Sequence, residues 1–152
     1  MGAPPIFAIP GVGQRHKLPS ASGGITRLAL ARIRDRGLNA SPLLRRANLT
    51  VSQVDDPESR LNVASQVRFL EIASEALGDQ LLGFHLAQNF ELQQIGLLYY
   101  VMASSETLLE ALKRAERYST IVNEGIAIRC LSSTDLSVRI TYVGVPRHLD
   151  RH

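Results

Sequence analysis

The stretch at residues 93–125, QQIGLLYYVMASSETLLEALKRAERYSTIVNEG, decides the predicted fold. It contains an apolar segment, a short polar break at residues 103–105, and then a segment in which apolar side chains recur every three or four residues. That spacing places them on one face of a helix. The residues of this face are Leu108, Leu109, Leu112, Ala115 and Tyr118. The pattern predicts a helix whose apolar face belongs to the core.

Two local signals support this helix. Thr107 and Glu110 form a T-x-x-E pattern, in which the hydroxyl accepts a backbone hydrogen bond of the first turn and the carboxylate reaches back to the N-cap. Glu110 and Arg114 are four residues apart, a spacing at which opposite charges stabilise a helix by about 0.2–0.5 kcal/mol. The helix is therefore predicted to begin next to Thr107.

The composition is that of a globular protein. A chain of 152 residues suits one domain, and 45% hydrophobic with 20% charged residues argues against global disorder. No apolar run has the length of a membrane span, and the opening residues lack the pattern of a secretory signal. The single cysteine, Cys130, cannot form a disulfide within the chain. We therefore expect a cytoplasmic protein without a membrane partner.

Proline marks the beginning of the chain. Residues 1–24 contain four prolines, which predicts an extended or mobile arm, and residues 6–9, IFAI, can add a strand to a sheet. A helix is then predicted from about Ile25 to Arg36, with Gly37 in the left-handed conformation that ends many helices. Ser41 is expected to cap the next helix, because Pro42 suits the first helical position.

Two more helices are expected further along. Apolar residues from Val63 to Leu77 have helical spacing, and Gly78 ends the pattern. A short helix over residues 81–87 carries His85, which we expect to be hydrogen-bonded or at the surface. The other histidines do not form a metal-binding spacing with it, so no metal site is predicted.

The sequence changes to a period of two after residue 125. Ile126, Ile128 and Cys130 alternate with more polar residues, and the same holds for residues 136–142. This alternation predicts an antiparallel hairpin in which Ile128 lies opposite Ile140 and Arg129 lies opposite Arg139. Two opposed arginines either recognise an anion or extend into water. The fold class is α+β, with a mostly helical N-terminal two-thirds packed on a small antiparallel sheet.

No enzyme signature is present, and no cofactor is expected. The sequence lacks a G-x-S-x-G elbow, an H-E-x-x-H motif, paired cysteines and a phosphate-binding glycine loop. Six arginines lie between Arg27 and Arg46, among them Arg32, Arg34 and Arg36. Such a cluster is either an electrostatic footprint for nucleic acid or a solvated or interdomain face. The second interpretation is favoured, because no aromatic or groove-reading pattern accompanies the charge.

An ordered set of short motifs resembles the arabinose-binding-like N-terminal domain of AraC-type transcription regulators, over roughly residues 25–145. The first motifs are RGL at 36–38, LLRRA at 43–47, GD at 78–79 and GFHL at 83–86. The most specific ones are GLL at 96–98, SS at 104–105, TL at 107–108, EAL at 110–112 and RY at 117–118. The chain departs from the family pattern at Tyr99, often glycine there, and at Glu106, often proline.

The resemblance implies a cytoplasmic bacterial regulator. Its N-terminal domain, here residues 25–145, senses a small-molecule effector or forms a homodimer. A C-terminal pair of helix-turn-helix motifs, absent from this sequence, binds DNA, and residues 146–152 are expected to be a truncated tail leading toward it. Arg32, Arg34 and Arg36 then form an interdomain or DNA-backbone surface.

An effector site is expected beside the apolar segment. Aromatic and apolar walls with a few polar groups are the usual makeup of such sites. The candidate residues are Tyr99, Tyr100, Met102 and Tyr118, with Arg129 or Arg139 available for an acidic group. The alternative for the tyrosines is core packing, and the alternative function is a dimerisation or protein-interaction module without a ligand.

Overall fold

A computed structural model describes residues 18–132 and 136–144 of the chain. The described part is α+β, as predicted, with seven α-helices and two small antiparallel sheets. The predicted strand at residues 6–9 and the hairpin turn at 133–135 lie outside the described residues. Within the described ranges, every helix is too short or too polar to cross a lipid bilayer.

The first half of the chain forms a helical layer around a small sheet. Its elements are β1 (Ser20–Ser22), α1 (Gly24–Asp35), α2 (Ala40–Arg46), α3 (Val51–Asp55), β2 (Arg60–Asn62), α4 (Val63–Leu77) and α5 (Leu82–Gln88). Strands β1 and β2 pair antiparallel, with Ala21 opposite Leu61. The left-handed glycines end helices as predicted, Gly37 after α1 at φ 69° and Gly78 after α4 at φ 64°.

The second half adds two helices and a hairpin. A 3₁₀ turn (Leu92–Ile95) leads into α6 (Leu97–Ala103), which packs on α7 (Leu108–Val122). Helix α7 packs in turn on the hairpin of β3 (Ile126–Ser132) and β4 (Leu136–Tyr142). The predicted register is confirmed, because Ile128 lies opposite Ile140 and Arg129 lies opposite Arg139.

The core belongs to the helical layer. Its largest fully buried side chains come from α1 to α5: Phe69, Leu30, Ile33, Leu44, Leu82, Val54 and Thr26. Residues 93–125 contribute only Leu98 and Ala115 to the buried apolar side chains of the described chain. The stretch that sets the order of the later elements is therefore peripheral to the main core.

The prediction that the whole apolar face of α7 belongs to the core is wrong in part. Ala115 is buried, but Leu108 is 69% exposed and Leu109 is 36% exposed. Helix α7 packs on α6 and β3, but these contacts leave the leucines of its first turn exposed. An amphipathic pattern identifies the apolar face, but it does not identify what covers that face.

Two predicted caps also differ. Helix α2 begins at Ala40, because the side chain of Asn39 accepts a hydrogen bond from the Ser41 backbone N–H at 3.1 Å, so Ser41 is not the cap. Pro42 is tolerated in this first turn, where a backbone N–H has no partner within the helix. Thr107 caps α7 as predicted, but the Glu110 carboxylate accepts from the backbone N–H of Glu106, one residue further back than expected.

Candidate functional site

Helix α6 presents the aromatic part of the predicted effector site. The rings of Tyr99 and Tyr100 meet edge to face, with centroids 5.3 Å apart and planes at 80°. Tyr99 and Met102 are half-buried, whereas Tyr100 is 63% exposed. On the short helix α6 the Tyr99 ring packs against the protein, whereas the Tyr100 ring extends into solvent. Together the two rings form a surface that can accept a planar or apolar group.

Tyr118 lies on the neighbouring helix. It is half-buried on α7, and the guanidinium of Arg117 lies 5.3 Å from the centroid of its ring. A cation over an aromatic face is attracted by the negative charge density of the ring. Tyr118 therefore already has a partner on its own helix.

The two arginines of the hairpin differ in their surroundings. Arg129 Nη1 donates to Glu116 Oε1 at 3.1 Å, and the other oxygen of Glu116 accepts from the backbone N–H of Cys130 at 3.0 Å. These two contacts, the backbone one first, hold the pKa of the Glu116 carboxyl below its ordinary value. Arg139, opposite Arg129 on β4, is exposed. Glu116 offsets the repulsion between the two arginines; nothing in the spacing of α7 and β3 had singled it out.

The structure brings four of the six candidates together in two pairs, and Met102 and Tyr118 belong to neither. Tyr99 touches Tyr100, and Arg129 faces Arg139 across the hairpin. Helix α7 connects the two pairs through its contacts with α6 and β3. The three cavities described next are lined by other residues.

An apolar cavity of about 370 Å³ lies where the helical layer meets the end of α7. Its walls come from β1, the first turn of α1, the end of α5, the 3₁₀ turn and the last residues of α7. They are Ala21, Ser22, Gly24, Ile25, Ala87, Phe90, Leu92, Ile95, Val122 and Asn123. The sequence does not predict this cavity, because its lining residues are far apart along the chain and meet only in the fold.

A second cavity, of about 490 Å³, is polar. Arg32 and Arg36 line it together with Asp79 and His85. The carboxylate of Asp79 contacts His85 Nδ1 at 2.9 Å and Arg32 at 3.6 Å. The hydrogen bond from His85 is the main cause that lowers the pKa of Asp79. The expectation of a hydrogen-bonded His85 is confirmed.

The arginine cluster is partly neutralised within the chain. Arg34 makes two hydrogen bonds to the carboxylate of Asp55, at 3.0 and 2.9 Å, which lower the pKa of Asp55. Arg32 contacts Asp79, as described above, and Arg36 is exposed beyond the end of α1. Among the three predicted surface residues, Arg36 is thus the one most open to an outside anion.

A third cavity, of about 720 Å³, runs beside α4. Arg46 and Arg68 line it together with Glu71 and Glu75, so charges of both signs face the same space. Because charges of both signs line this cavity, it has no preference for one ligand charge.

The described residues give little support for a metal site or for a reactive thiol. In the ranges that the structure describes, no three residues among His, Cys, Asp and Glu are grouped so as to hold a metal ion. The half-buried thiol of Cys130 has its pKa raised, first by desolvation and then by the nearby Glu116 carboxylate. A raised pKa disfavours the thiolate, which is the nucleophilic form.

Comparison with known proteins gives one family. The model of the arabinose-binding N-terminal domain of AraC transcription regulators matches residues 37–152. The match begins at the glycine that ends α1 and extends through the hairpin. No curated protein matches the chain.

Proposed function

We propose a regulatory function on the premise that the chain belongs to the family of arabinose-binding N-terminal domains of AraC transcription regulators, which are effector-binding domains. In this function the chain acts as a homodimer and couples the binding of a small-molecule effector to gene regulation. In this proposal residues 25–145 are the sensor domain of a cytoplasmic bacterial regulator, and a helix-turn-helix pair outside residues 1–152 contacts DNA. The observation that carries the proposal is the family match over residues 37–152.

The mechanism that we propose is a shift between two arrangements of the domain. A ligand shifts such an equilibrium only as far as it binds one arrangement better than the other. Helix α7 suits this role, since it contacts α6, β3 and β1 and so joins the later elements to the helical layer. A small displacement of α7 would change the surface of the hairpin, which has much exposed area for a DNA-binding domain or a second copy.

We propose that the effector contacts the α6–α7 surface formed by Tyr99, Tyr100, Met102 and Tyr118. The edge-to-face pair of Tyr99 and Tyr100 supports this site, because it offers an aromatic wall at the surface. For an acidic effector Arg139 is the better partner, since it is exposed whereas Arg129 already contacts Glu116.

A thermal-shift screen tests the effector site. The purified chain is heated with arabinose, other sugars, amino acids, fatty acids and aromatic acids in turn. A true effector at a hundredfold excess over its Kd stabilises the folded state by about 2.7 kcal/mol. Tyr99→Ala should abolish the rise in melting temperature. Phe84→Ala, which removes an aromatic ring that is 61% exposed on α5, should retain it. If none of the compounds changes the melting temperature, effector sensing by this chain is contradicted.

A dimerisation module without a ligand is the competing function. It is favoured by the large apolar side chains that the later elements leave exposed, namely Leu97, Tyr100, Leu108, Ile121, Val138 and Ile140. Light scattering over a range of concentrations separates the two functions. A dimer at every concentration, together with no response to any screened compound, supports the module and not the sensor.

We further propose that Arg32, Arg34 and Arg36 form a surface for the DNA-binding part or the DNA backbone. In a full-length regulator, Arg36→Ala should weaken DNA binding more than Arg34→Ala, because Asp55 already neutralises Arg34. Equal, unchanged DNA affinity in both variants and in Arg32→Ala would count against this surface.

A further inference from the structure

The apolar cavity at the end of α7 has the volume of a ligand site and is partly open to solvent, since its wall residue Leu92 is 65% exposed. Its volume of about 370 Å³ falls within the roughly 300–1,000 Å³ that is usual for small-molecule pockets. Five segments of the chain contribute walls, so the cavity lies between elements and not on the surface of one of them. It is separate from the tyrosines of α6, none of which lines it.

The walls specify an uncharged occupant. None of the ten lining residues carries a charged side chain, and the space is bounded mainly by Ile25, Phe90, Leu92, Ile95 and Val122. A charged group placed there would lose part of its hydration without gaining an ion partner from the walls, which is unfavourable. An apolar molecule instead gains about 25 cal/mol for each Å² of surface removed from water.

Two polar residues at the wall differ in what they can offer. The side chain of Asn123 already accepts a hydrogen bond from the Gly125 backbone N–H at 2.8 Å. The hydroxyl of Ser22 makes no side-chain hydrogen bond within the described ranges, so it can donate to or accept from one group of a ligand. The wall thus supports one hydrogen bond to an otherwise apolar molecule.

The backbone allows this wall to form. A Cβ atom at Gly24 would lie 3.3 Å from Cε2 of Phe90, which is tighter than an ordinary contact. Glycine at this position therefore lets the Phe90 ring lie over the first turn of α1. The ring closes one side of the cavity.

The cavity also lies at the connection between β1 and α7. Ala21 and Asn123, both in the wall, form an isolated antiparallel bridge. Next to it the Glu124 backbone N–H donates to the carbonyl of Ser20 at 2.9 Å. A molecule in the cavity would contact both sides of this connection and stabilise it.

We propose that this cavity binds an uncharged, predominantly apolar small molecule that carries one hydrogen-bonding group, directed at Ser22. A regulatory role for this ligand rests on the proposed effector function, whereas the binding of the ligand to the cavity does not depend on that function. Occupancy fixes the end of α7 against β1, and so favours one arrangement of α7 and the hairpin.

Fluorescence of N-phenyl-1-naphthylamine, a neutral apolar probe, tests the site with the 152-residue chain. The probe should bind one equivalent of protein with a rise in emission. Val122→Phe fills the cavity and should weaken binding at least about tenfold, which corresponds to 1.4 kcal/mol. The matched control is Ile121→Phe, an addition of similar size at the preceding residue of α7, which is 55% exposed and outside the wall, and it should bind as the wild type does.

Three outcomes overturn the proposal. The first is equal probe affinity in Val122→Phe and Ile121→Phe. The second is displacement of the probe by 1-naphthoate as efficiently as by 1-naphthol, since the wall should reject the carboxylate. The third is that the wild type and Ser22→Ala prefer 1-naphthol to naphthalene by the same ratio of affinities, since loss of the Ser22 hydroxyl should reduce that ratio. If Val122→Phe loses its helical circular dichroism, Ile95→Phe fills the cavity from another wall and replaces it.

The same variant separates this proposal from the effector function. If a compound from the thermal-shift screen stabilises Val122→Phe as well as the wild type, effector sensing stands and the cavity is not its site. If the probe binding depends on Val122 but no compound changes the melting temperature, the cavity stands as a binding site and the effector function is contradicted.

Discussion

One buried amide on α4 connects that helix to three other elements of the helical layer. Gln66 on α4 accepts a hydrogen bond from the Thr26 hydroxyl at 2.8 Å, and its own N–H₂ donates to the carbonyls of Ala21 and Leu61 at 3.3 and 3.2 Å. Both Gln66 and Thr26 are buried. Buried polar groups are almost always paired, because an unpaired one loses its hydration without compensation. This network fixes the position of α1 and of the small sheet relative to α4.

We expect Gln66→Leu to lower the free energy of unfolding by about 1–3 kcal/mol. The leucine has a similar size, but the Thr26 hydroxyl loses its acceptor and the two carbonyls lose a donor. Urea unfolding followed by circular dichroism measures the change. The control is Gln88→Leu, an exposed position on α5, where we expect a change within about 0.5 kcal/mol. Equal losses in the two variants would contradict the role of the network.

The pattern of α4 could not reveal this residue. Its apolar residues predicted a helix that ends at Gly78, and this is confirmed. The buried face, however, is centred on Gln66, Phe69 and Ala73, and the first of these is polar. Hydrophobic periodicity assigns polar residues to the surface, so it misses a polar side chain whose partners come from other parts of the chain.

At the scale of elements, the carboxylate of Glu116 connects α7 to β3. It accepts from the Cys130 backbone N–H and from the Arg129 side chain, and both contacts are stronger when the carboxyl is ionised. The pKa of Glu116 is therefore lowered in the folded protein from its ordinary value of 4.5. A lowered carboxyl pKa contributes stability that is fully present above the unfolded value and is lost as the pH falls through the folded value.

Glu116→Gln should lower the melting temperature at pH 7 and have progressively less effect below about pH 4.5, where the wild-type carboxylate also becomes protonated. Thermal unfolding of both proteins from pH 7 to pH 3 measures this difference. Glu75→Gln, at an exposed position of α4, is the control without such a contact. A difference between wild type and Glu116→Gln that stays constant over this range would show that the ionised carboxylate does not stabilise the contact.

The hairpin and α7 show what element-level patterns determine. The period of two fixed the register of Ile128 with Ile140, because a shift by one residue would turn every apolar side chain to the other face. Thr107 likewise fixed the start of α7. Whether such an apolar face becomes buried depends on partners that are distant in sequence, and a local pattern does not show them. The strand β4, for example, is exposed along its whole length.

At the scale of the molecule, a narrow junction connects the helical layer to the later elements. Arg60 on β2 donates to the carbonyl of Ile121 at 2.6 Å and to that of Ser20 at 2.9 Å. Gly125, between α7 and β3, packs against Val63 at the start of α4. The motif order indicated the family of this chain, but it could not indicate this junction or the cavity beside it, because both depend on residues that meet only in the folded chain.

The junction should be sensitive to a single methyl group. A Cβ atom at Gly125 would lie 2.7 Å from Cγ1 and 3.0 Å from Cγ2 of Val63, and this β-branched side chain has little freedom to turn away at a helix start. We expect Gly125→Ala to lower the free energy of unfolding by about 1–3 kcal/mol through this overlap.

The double variant Gly125→Ala/Val63→Ala tests whether the overlap is the cause. Removing the two methyl groups of Val63 leaves room for the new one, so the double variant should lose at least about 0.5 kcal/mol less than the sum of the single variants. Urea unfolding of all four proteins completes the cycle. Leu44→Ala, in the core of the helical layer, should combine additively with Gly125→Ala. Additive losses for the Val63 pair would show that the overlap with Val63 does not cause the loss, and that the helical layer and the hairpin meet less tightly than the contact of Gly125 with Val63 implies.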